Sequence, residues 1–146
     1  QGVQPDAIHL IQRAMIQVGR DGSARSARQK LGNDFIFAGK TGTSNSQRDS
    51  WFAGFTGDVL AVVWLGHDDN TPTKYTGASG ALPVWTQLIQ SASRRPLSPL
   101  VPENIDYHWI DLVTGRPSKE SCFSAAEIAF IKGSNPQGAK SCSSPH

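Results

Sequence analysis

The sequence has 146 residues, of which 38% are apolar, and 14 Lys+Arg against 12 Asp+Glu leave a net charge of +2. This apolar content excludes a wholly disordered chain, and the small charge excludes a nucleic-acid binder that depends on neutralised phosphates. The longest clean apolar stretch, residues 59–65, is too short to cross a bilayer, so no membrane segment is predicted. Because the first residue is Gln1 and not Met, we expect a processed chain or a piece of a longer one, with any membrane anchor upstream.

Two helices are predicted in the first quarter of the chain. Apolar residues recur every three to four positions over residues 7–18, which predicts an amphipathic helix that ends at Gly19. After a turn, residues 24–31 are expected to form a second helix, which is short and basic.

After residue 34 the apolar pattern changes to the period of strands. Three strands are predicted over residues 35–43, 50–55 and 59–65, and the short connections between them favour an antiparallel meander. The third segment is apolar on both faces, which favours a central position in the sheet. Residues 82–91 have the pattern of a further amphipathic helix.

The chain is predicted to have three regions. Residues 1–93 contain the helices and the three strands, and a proline-rich linker covers residues 94–104. Residues 105–146 contain two more strand-like segments and are expected to form a small strand-rich appendage.

Both cysteines, Cys122 and Cys142, fall in this appendage and flank a loop rich in Gly, Asn and Pro. They form no C-x-x-C pair and have no histidine at a zinc-like spacing. We therefore predict one disulfide and an oxidising compartment, the alternative being two reduced thiols in a cytosolic protein. Because the four histidines are scattered, neither a metal site nor a cofactor is predicted.

The stretch Lys40-Thr41-Gly42-Thr43, at the end of an apolar strand, carries the most chemistry. On a pleated strand Lys40 and Gly42 face one way and the two threonines the other. A glycine admits close approach of a ligand, and a bound peptide could lie along the edge as an extra strand. A carboxylate could then sit near the lysine and a threonine hydroxyl. The alternative is an ordinary strand that ends in a polar turn.

Other polar and aromatic residues have two interpretations each. Asp68 and Asp69 could serve as paired carboxylates in glycoside hydrolysis, but adjacent residues in such a loop more often cap turns. Asp49 is interpreted as an anchor for its loop rather than as a catalytic group. Three tryptophans could form a sugar-binding platform, but their apolar contexts favour packing between sheet and helix: Trp51, Trp64 and Trp85.

Five short blocks in a fixed order carry a family resemblance. They are D-G-S-A-R at residues 21–25, K-T-G-T at 40–43, D-S-W-F-A-G-F at 49–55, V-V-W-L-G-H-D at 62–68 and G-A-S-G-A at 77–81. Their order resembles the C-terminal part of the transpeptidase domain of class A, bifunctional penicillin-binding proteins, in which K-T-G is a signature motif. The resemblance covers about residues 6–92 and, more weakly, the cysteine-containing tail.

The resemblance implies an α+β fold, in which an antiparallel sheet with packed helices forms part of a penicillin-binding transpeptidase, or serine β-lactamase-like, fold. It implies that Lys40 brings positive charge to the reacting serine and the substrate carboxylate, and that Gly42 permits close approach. Thr41 and Thr43 match the remaining motif positions. The second threonine is expected to bind the terminal carboxylate and to lend its N–H to an oxyanion hole. The implied substrate is a peptidoglycan stem peptide ending in D-Ala-D-Ala, which β-lactams mimic.

Two further motifs of that family are missing. No S-x-x-K occurs, and Ser44-Asn45-Ser46 follows the K-T-G strand instead of preceding it as S-x-N would. We therefore expect a fragment of a periplasmic, membrane-anchored cross-linking enzyme, inactive without the upstream part of the same domain, whose parent also polymerises glycan strands. The alternatives are a free-standing, non-catalytic module that binds wall peptides outside the cytoplasm, and a DD-carboxypeptidase or β-lactamase relative.

Overall fold

The computed structural model describes residue 2 and residues 4–143, which group into two units. The sheet unit comprises residues 11–99, and the hairpin unit comprises residues 1–10 and 100–146. The outermost positions of the predicted regions 1–93 and 105–146 lie outside the described residues.

Three helices lie close to their predicted positions in the described part of the chain: α1 (Pro5–Arg20), α2 (Arg25–Leu31) and α3 (Ala81–Ala92). The prediction that Gly19 ends the first helix is wrong, because the helix continues to Arg20. Gly19 has a packing role instead. A Cβ atom there would lie 2.8 Å from Cζ of Phe37, so a side chain at this position would force the buried ring to shift.

The sheet consists of β1 (Ala38–Thr43), β2 (Ser50–Phe55) and β3 (Leu60–Leu65), paired antiparallel in the order β1-β2-β3. The predicted meander and α+β fold are thus confirmed. The predicted central position of the third strand is wrong, since β2 occupies it. One face of β3 meets the core, while Leu60 and Val62 on its other face are 75% and 56% exposed.

The first strand is shorter than predicted, because it begins at Ala38 and not at residue 35. The residues before Ala38 do not pair with β2 and contact other parts of the sheet unit instead. Phe37 is buried in the core, and the carbonyl of Ile36 accepts a hydrogen bond from the N–H of Leu97 at 2.8 Å.

The core of the sheet unit lies between one face of the sheet and the helices. Trp85 of α3 is fully buried, and its ring centroid lies 5.2 Å from that of Phe37 and 4.8 Å from that of Phe52. The Nε1–H of Trp85 donates to the carbonyl of Ala61 at 3.2 Å, which ties α3 to β3. The other buried members of the core are Ala24, Ala27, Ala81, Leu82 and Ile89. This packing supports the sheet from one side and leaves its other face exposed.

The hairpin unit contains β4 (Ile105–Asp111) and β5 (Ala125–Ile131), which pair antiparallel. The predicted disulfide between Cys122 and Cys142 is present, with the two Cα atoms 5.4 Å apart. It closes the loop that follows β5 onto the turn that precedes it.

Asp111, at the end of β4, is buried and organises this loop. Its carboxylate accepts hydrogen bonds from the hydroxyls of Ser124 at 2.8 Å, Ser143 at 2.8 Å and Ser141 at 3.0 Å. The backbone N–H groups of Val113 and Ser143 donate to it as well, each at 3.0 Å. Burial alone would raise the pKa of Asp111, but these hydrogen bonds outweigh it and hold the pKa well below its usual range.

Acidification is expected to destabilise the hairpin unit through Asp111. Because folding lowers the pKa of this carboxyl, its stabilising contribution is complete above the unfolded value near 4 and is lost as the pH falls towards the lower folded value. NMR resonances of Ala125–Ile131, followed from about pH 7 to about pH 2, should report this loss. Asp111→Asn should weaken the unit at neutral pH and flatten its acid response. Wild-type hairpin resonances that persist unchanged to the lowest pH would contradict the assignment.

Candidate functional site

The K-T-G-T residues occupy β1, at one edge of the sheet. The N–H of Ser44 donates to the carbonyl of Asp49 at 3.1 Å, so these two residues form a hydrogen-bonded pair. Pairs along an antiparallel ladder alternate between hydrogen-bonded and non-hydrogen-bonded. Thr43 and Thr41 fall in non-hydrogen-bonded pairs, and their backbone N–H groups therefore point away from β2, towards the open side of β1.

Lys40 and the two threonines lie on opposite faces of the strand, as their alternation predicts. The lysine side chain is exposed, and its Nζ donates to the carbonyl oxygen of Thr41 at 2.8 Å. In a non-hydrogen-bonded pair the carbonyl group also points away from the partner strand. The carbonyl of Thr41 therefore points to the open side of β1, and the ammonium group of Lys40 lies over this edge. The structure thus places a positive charge beside the outward N–H groups.

The hydroxyl groups of both threonines have neighbours from distant parts of the chain. Thr41 Oγ1 lies 2.8 Å from Oγ of Ser23, in the turn between α1 and α2. Thr43 Oγ1 accepts a hydrogen bond from the backbone N–H of Gly77 at 2.9 Å. The edge therefore contains a line of hydroxyls that are positioned by contacts outside the strand.

Gly42 lies between the threonines, where a side chain would be crowded. A Cβ atom at this position would lie 3.2 Å from Cβ of Trp51, directly opposite on β2. The carbonyl and N–H of Gly42 also contact Gly77, whose own added Cβ would come within 2.7 and 2.9 Å of those two backbone atoms. Two glycines therefore pack backbone against backbone at this end of the site.

Ser50 fixes the loop that contains Gly77 to the end of the sheet. Its buried hydroxyl donates to the carbonyl of Thr76 at 2.7 Å and accepts from the N–H of Ala81 at 2.9 Å. A Cβ atom on Gly80 would lie 2.6 Å from this oxygen. The G-A-S-G-A segment is thereby held against β1 and β2.

The prediction that all three tryptophans pack between sheet and helix holds for Trp85 alone. Trp51 and Trp64 face each other across β2 and β3 on the open face of the sheet, with ring centroids 6.1 Å apart, and each is 44% exposed. Asp49 anchors this pair, because its carboxylate accepts a hydrogen bond from Nε1–H of Trp64 at 2.9 Å. This bond, followed by one from Ser44, lowers the pKa of Asp49.

The adjacent carboxylates Asp68 and Asp69 belong to a turn. Asp69 accepts hydrogen bonds from the N–H and the hydroxyl of Thr71, at 3.1 and 2.8 Å. The hydroxyl bond is the main cause of a lowered pKa at Asp69. This geometry is that of a turn cap, which agrees with the favoured interpretation.

Sequence reasoning missed three residues that support the site: Ser23, Ser50 and Gly77. Each lies in one of the blocks that carry the family resemblance, and membership of these blocks is the sequence signal that points to them. Among the residues that the structure describes, no cluster of three His, Cys, Asp or Glu could hold a metal ion. None of the helices described has the length and hydropathy of a membrane span.

Comparison with known proteins agrees with this geometry, although no family model matches the chain. The chain is 40% identical over 114 residues to penicillin-binding protein 1B of Vibrio cholerae, an alignment that covers 78% of the chain and 14% of the relative. Penicillin-binding protein 1B of Escherichia coli is 38% identical over 111 residues, with 76% and 13% covered. The crystal structure of penicillin-binding protein 1A from Haemophilus influenzae superposes with a TM-score of 0.79 at 27% identity, over 93% of this chain and 22% of that one.

An α+β fold with K-T-G-T on an edge strand defines a part of a penicillin-binding transpeptidase fold. Within that class, the chain is homologous to the class A penicillin-binding proteins 1A and 1B and corresponds to a part of such a protein, as the sequence predicted.

Proposed function

We propose that this chain forms the K-T-G-T side of the active site of a D-Ala-D-Ala transpeptidase that cross-links peptidoglycan. The observation that carries this proposal is the open edge of β1, where outward N–H groups, two hydroxyls and the Lys40 ammonium lie together. A stem peptide that adds to this edge as an extra strand would meet all three kinds of group. β-Lactams, which mimic the peptide, would bind in the same place.

Each group then has a role in acyl transfer. The Thr41 and Thr43 hydroxyls receive the terminal carboxylate of the peptide. Lys40 adds positive charge where that carboxylate and a developing oxyanion meet, and the outward N–H of Thr43 is one donor of the oxyanion hole. Gly42 keeps the strand accessible, because it adds no side chain next to Lys40 and Trp51 on the open face of the sheet.

The nucleophile must come from elsewhere in the same domain. The sequence contains no S-x-x-K, and an acyl-enzyme requires an activated serine. We propose that an upstream part of the domain supplies the serine and its proton-transfer groups, and that this parent lies outside the cytoplasm, attached to the inner membrane. The disulfide of the hairpin unit fits that compartment.

A second candidate is a non-catalytic module that binds wall peptides through the same edge. The missing S-x-x-K favours it, because binding needs only the recognition groups. The two candidates differ in what happens when the missing serine is provided.

The test therefore uses two proteins. The first is the 146-residue chain itself, and the second is a hybrid in which the matched residues of this chain replace those of Vibrio cholerae penicillin-binding protein 1B. Intact mass after incubation with a fluorescent penicillin should show no adduct on the chain and one adduct on the hybrid. A folded hybrid that takes up no penicillin would contradict the transpeptidase proposal, and an adduct on the chain alone would contradict the assignment of the nucleophile.

A further inference from the structure

We infer that Ser23 and Gly77 are positioning residues, which set the hydroxyls of Thr41 and Thr43 as a pair of proton donors specific for a carboxylate. This inference rests on the proposed function, since it concerns how the same edge distinguishes the free carboxylate of a peptide from an amide. It adds two residues outside the K-T-G-T strand to the recognition machinery.

The hydrogen bond between Gly77 and Thr43 has only one possible direction, with Gly77 as the donor. A backbone N–H can donate but not accept, so at 2.9 Å it occupies a lone pair of Thr43 Oγ1. The hydroxyl proton is not needed for this bond and remains available. Because the Thr43 side chain is exposed, this proton can be donated to a ligand on the open edge.

The position of Gly77 is tightly determined. An added Cβ would lie 2.6 Å from the carbonyl oxygen of Trp51 and 2.7 Å from that of Gly42, both of which are backbone atoms in the sheet. Any side chain at position 77 would therefore push the loop away from β1 and break the hydrogen bond from the Gly77 N–H to Thr43 Oγ1. The close packing of Gly77 against the sheet is therefore what holds its N–H in place to donate to Thr43.

Ser23 stands in the equivalent relation to Thr41, at 2.8 Å between the two hydroxyl oxygens. Its turn is also fixed, because the N–H of Ala24 donates to the carbonyl of Val18 at 3.0 Å and an added Cβ on Gly22 would lie 2.9 Å from the Val18 backbone. Either hydroxyl can donate in this pair. A carboxylate at Thr41 can only accept, so it selects the arrangement in which Ser23 donates to Thr41 and Thr41 donates to the ligand.

The two oriented hydroxyls lie on the same face of β1, two residues apart, or about 7 Å along an extended strand. A carboxylate has two acceptor oxygens with about four lone-pair sites, and it can receive protons from both threonines. A carboxamide has only one acceptor oxygen, and its NH₂ group cannot receive the proton of the second threonine. The arrangement therefore predicts discrimination between a carboxylate and an amide.

The experiment measures the affinity of the 146-residue chain for diacetyl-L-Lys-D-Ala-D-Ala and for its C-terminal carboxamide, by NMR titration of the Gly42 and Thr43 resonances. Three variants are compared with the wild type. Ser23→Ala removes the hydroxyl, Ser23→Thr retains it, and Ser26→Ala removes an exposed hydroxyl from the next turn as a matched control.

The wild type and the Ser26→Ala variant should prefer the carboxylate. Ser23→Ala should reduce that preference about three- to tenfold, the size of one hydrogen bond, while the affinity for the amide stays unchanged. Ser23→Thr should restore the preference. If Ser23→Ala weakens both peptides equally or neither, Ser23 has no positioning role and the inference is overturned. A wild-type chain that binds neither peptide overturns the inference, whereas the proposed function is decided separately by acylation of the hybrid.

Gly77→Ala provides an independent test of the second contact. It should reduce the carboxylate preference at least as much as Ser23→Ala, with the largest shift changes at Thr43. Retention of the dispersed wild-type spectrum elsewhere in the sheet unit shows that the fold is intact. An unchanged preference in a variant whose spectrum is intact would overturn the role of Gly77.

Discussion

Replacing Lys40 by alanine is expected to slow penicillin acylation of the hybrid by about a hundredfold, while the fold is retained. The side chain is exposed and its Nζ donates to the carbonyl of Thr41, so little packing is lost. On the proposed function, what is lost is a charge where a carboxylate and an oxyanion meet, and removal of one such group typically slows a reaction by a factor of about 100 to 1,000. The second-order rate constant for labelling by a fluorescent penicillin measures the effect.

Two further variants separate the charge from the general effects of the substitution. Lys40→Arg keeps the charge and should recover part of the rate. Lys30→Ala removes an exposed lysine from α2, at a distance in sequence from the strand, and should acylate at the wild-type rate. Wild-type acylation by the Lys40→Ala hybrid would show that this lysine has no role in the reaction.

Loss of the disulfide is expected to have the largest effect on stability. Cys122 and Cys142 are separated by 20 residues, and opening a loop of this size lowers the free energy of unfolding by about 3 kcal/mol on the chain-entropy model. A two-stranded sheet is marginally stable without such support. In the double Cys→Ser variant, the resonances of β4 and β5 should therefore broaden or move to unfolded positions.

The sheet unit provides the internal control for this experiment, because its buried core residues, from Ala24 to Ile89, all lie within that unit. Its resonances should keep their wild-type positions in the same sample. Reduction of the wild type should reproduce the spectrum of the variant. A hairpin unit that unfolds at the same denaturant concentration with and without the bond would refute the prediction.

The local sequence predicts those parts of the fold that depend on neighbours along the chain. Residues 50–55 alternate between buried and exposed positions and lie between turns, and β2 has these bounds. The predicted disulfide likewise follows from the placement of the only two cysteines. In both cases the determining information lies within about twenty residues, which is the range over which sequence patterns are informative.

The errors arise where distant segments decide the outcome. An apolar pattern shows that both faces of β3 avoid charge, but it does not show which strand has two neighbours, and the predicted central position of β3 is therefore wrong. The apolar surroundings of Trp51 and Trp64 in the sequence likewise do not show which face of the sheet the helices cover. Ser23 and Gly77 reach the threonines across 18 and 34 residues, and no periodicity reports such contacts.

The exposed pair of Trp51 and Trp64 also provides intrinsic tryptophan fluorescence next to the K-T-G-T segment. Trp51 packs beside Gly42 of the K-T-G-T segment, and Trp64 is held against it by Asp49. A ligand that seats on the edge changes the surroundings of these two chromophores, while Trp85 in the core keeps its own. Intrinsic emission can therefore follow occupancy of the site without a dye, and Trp51→Phe would identify the origin of the signal.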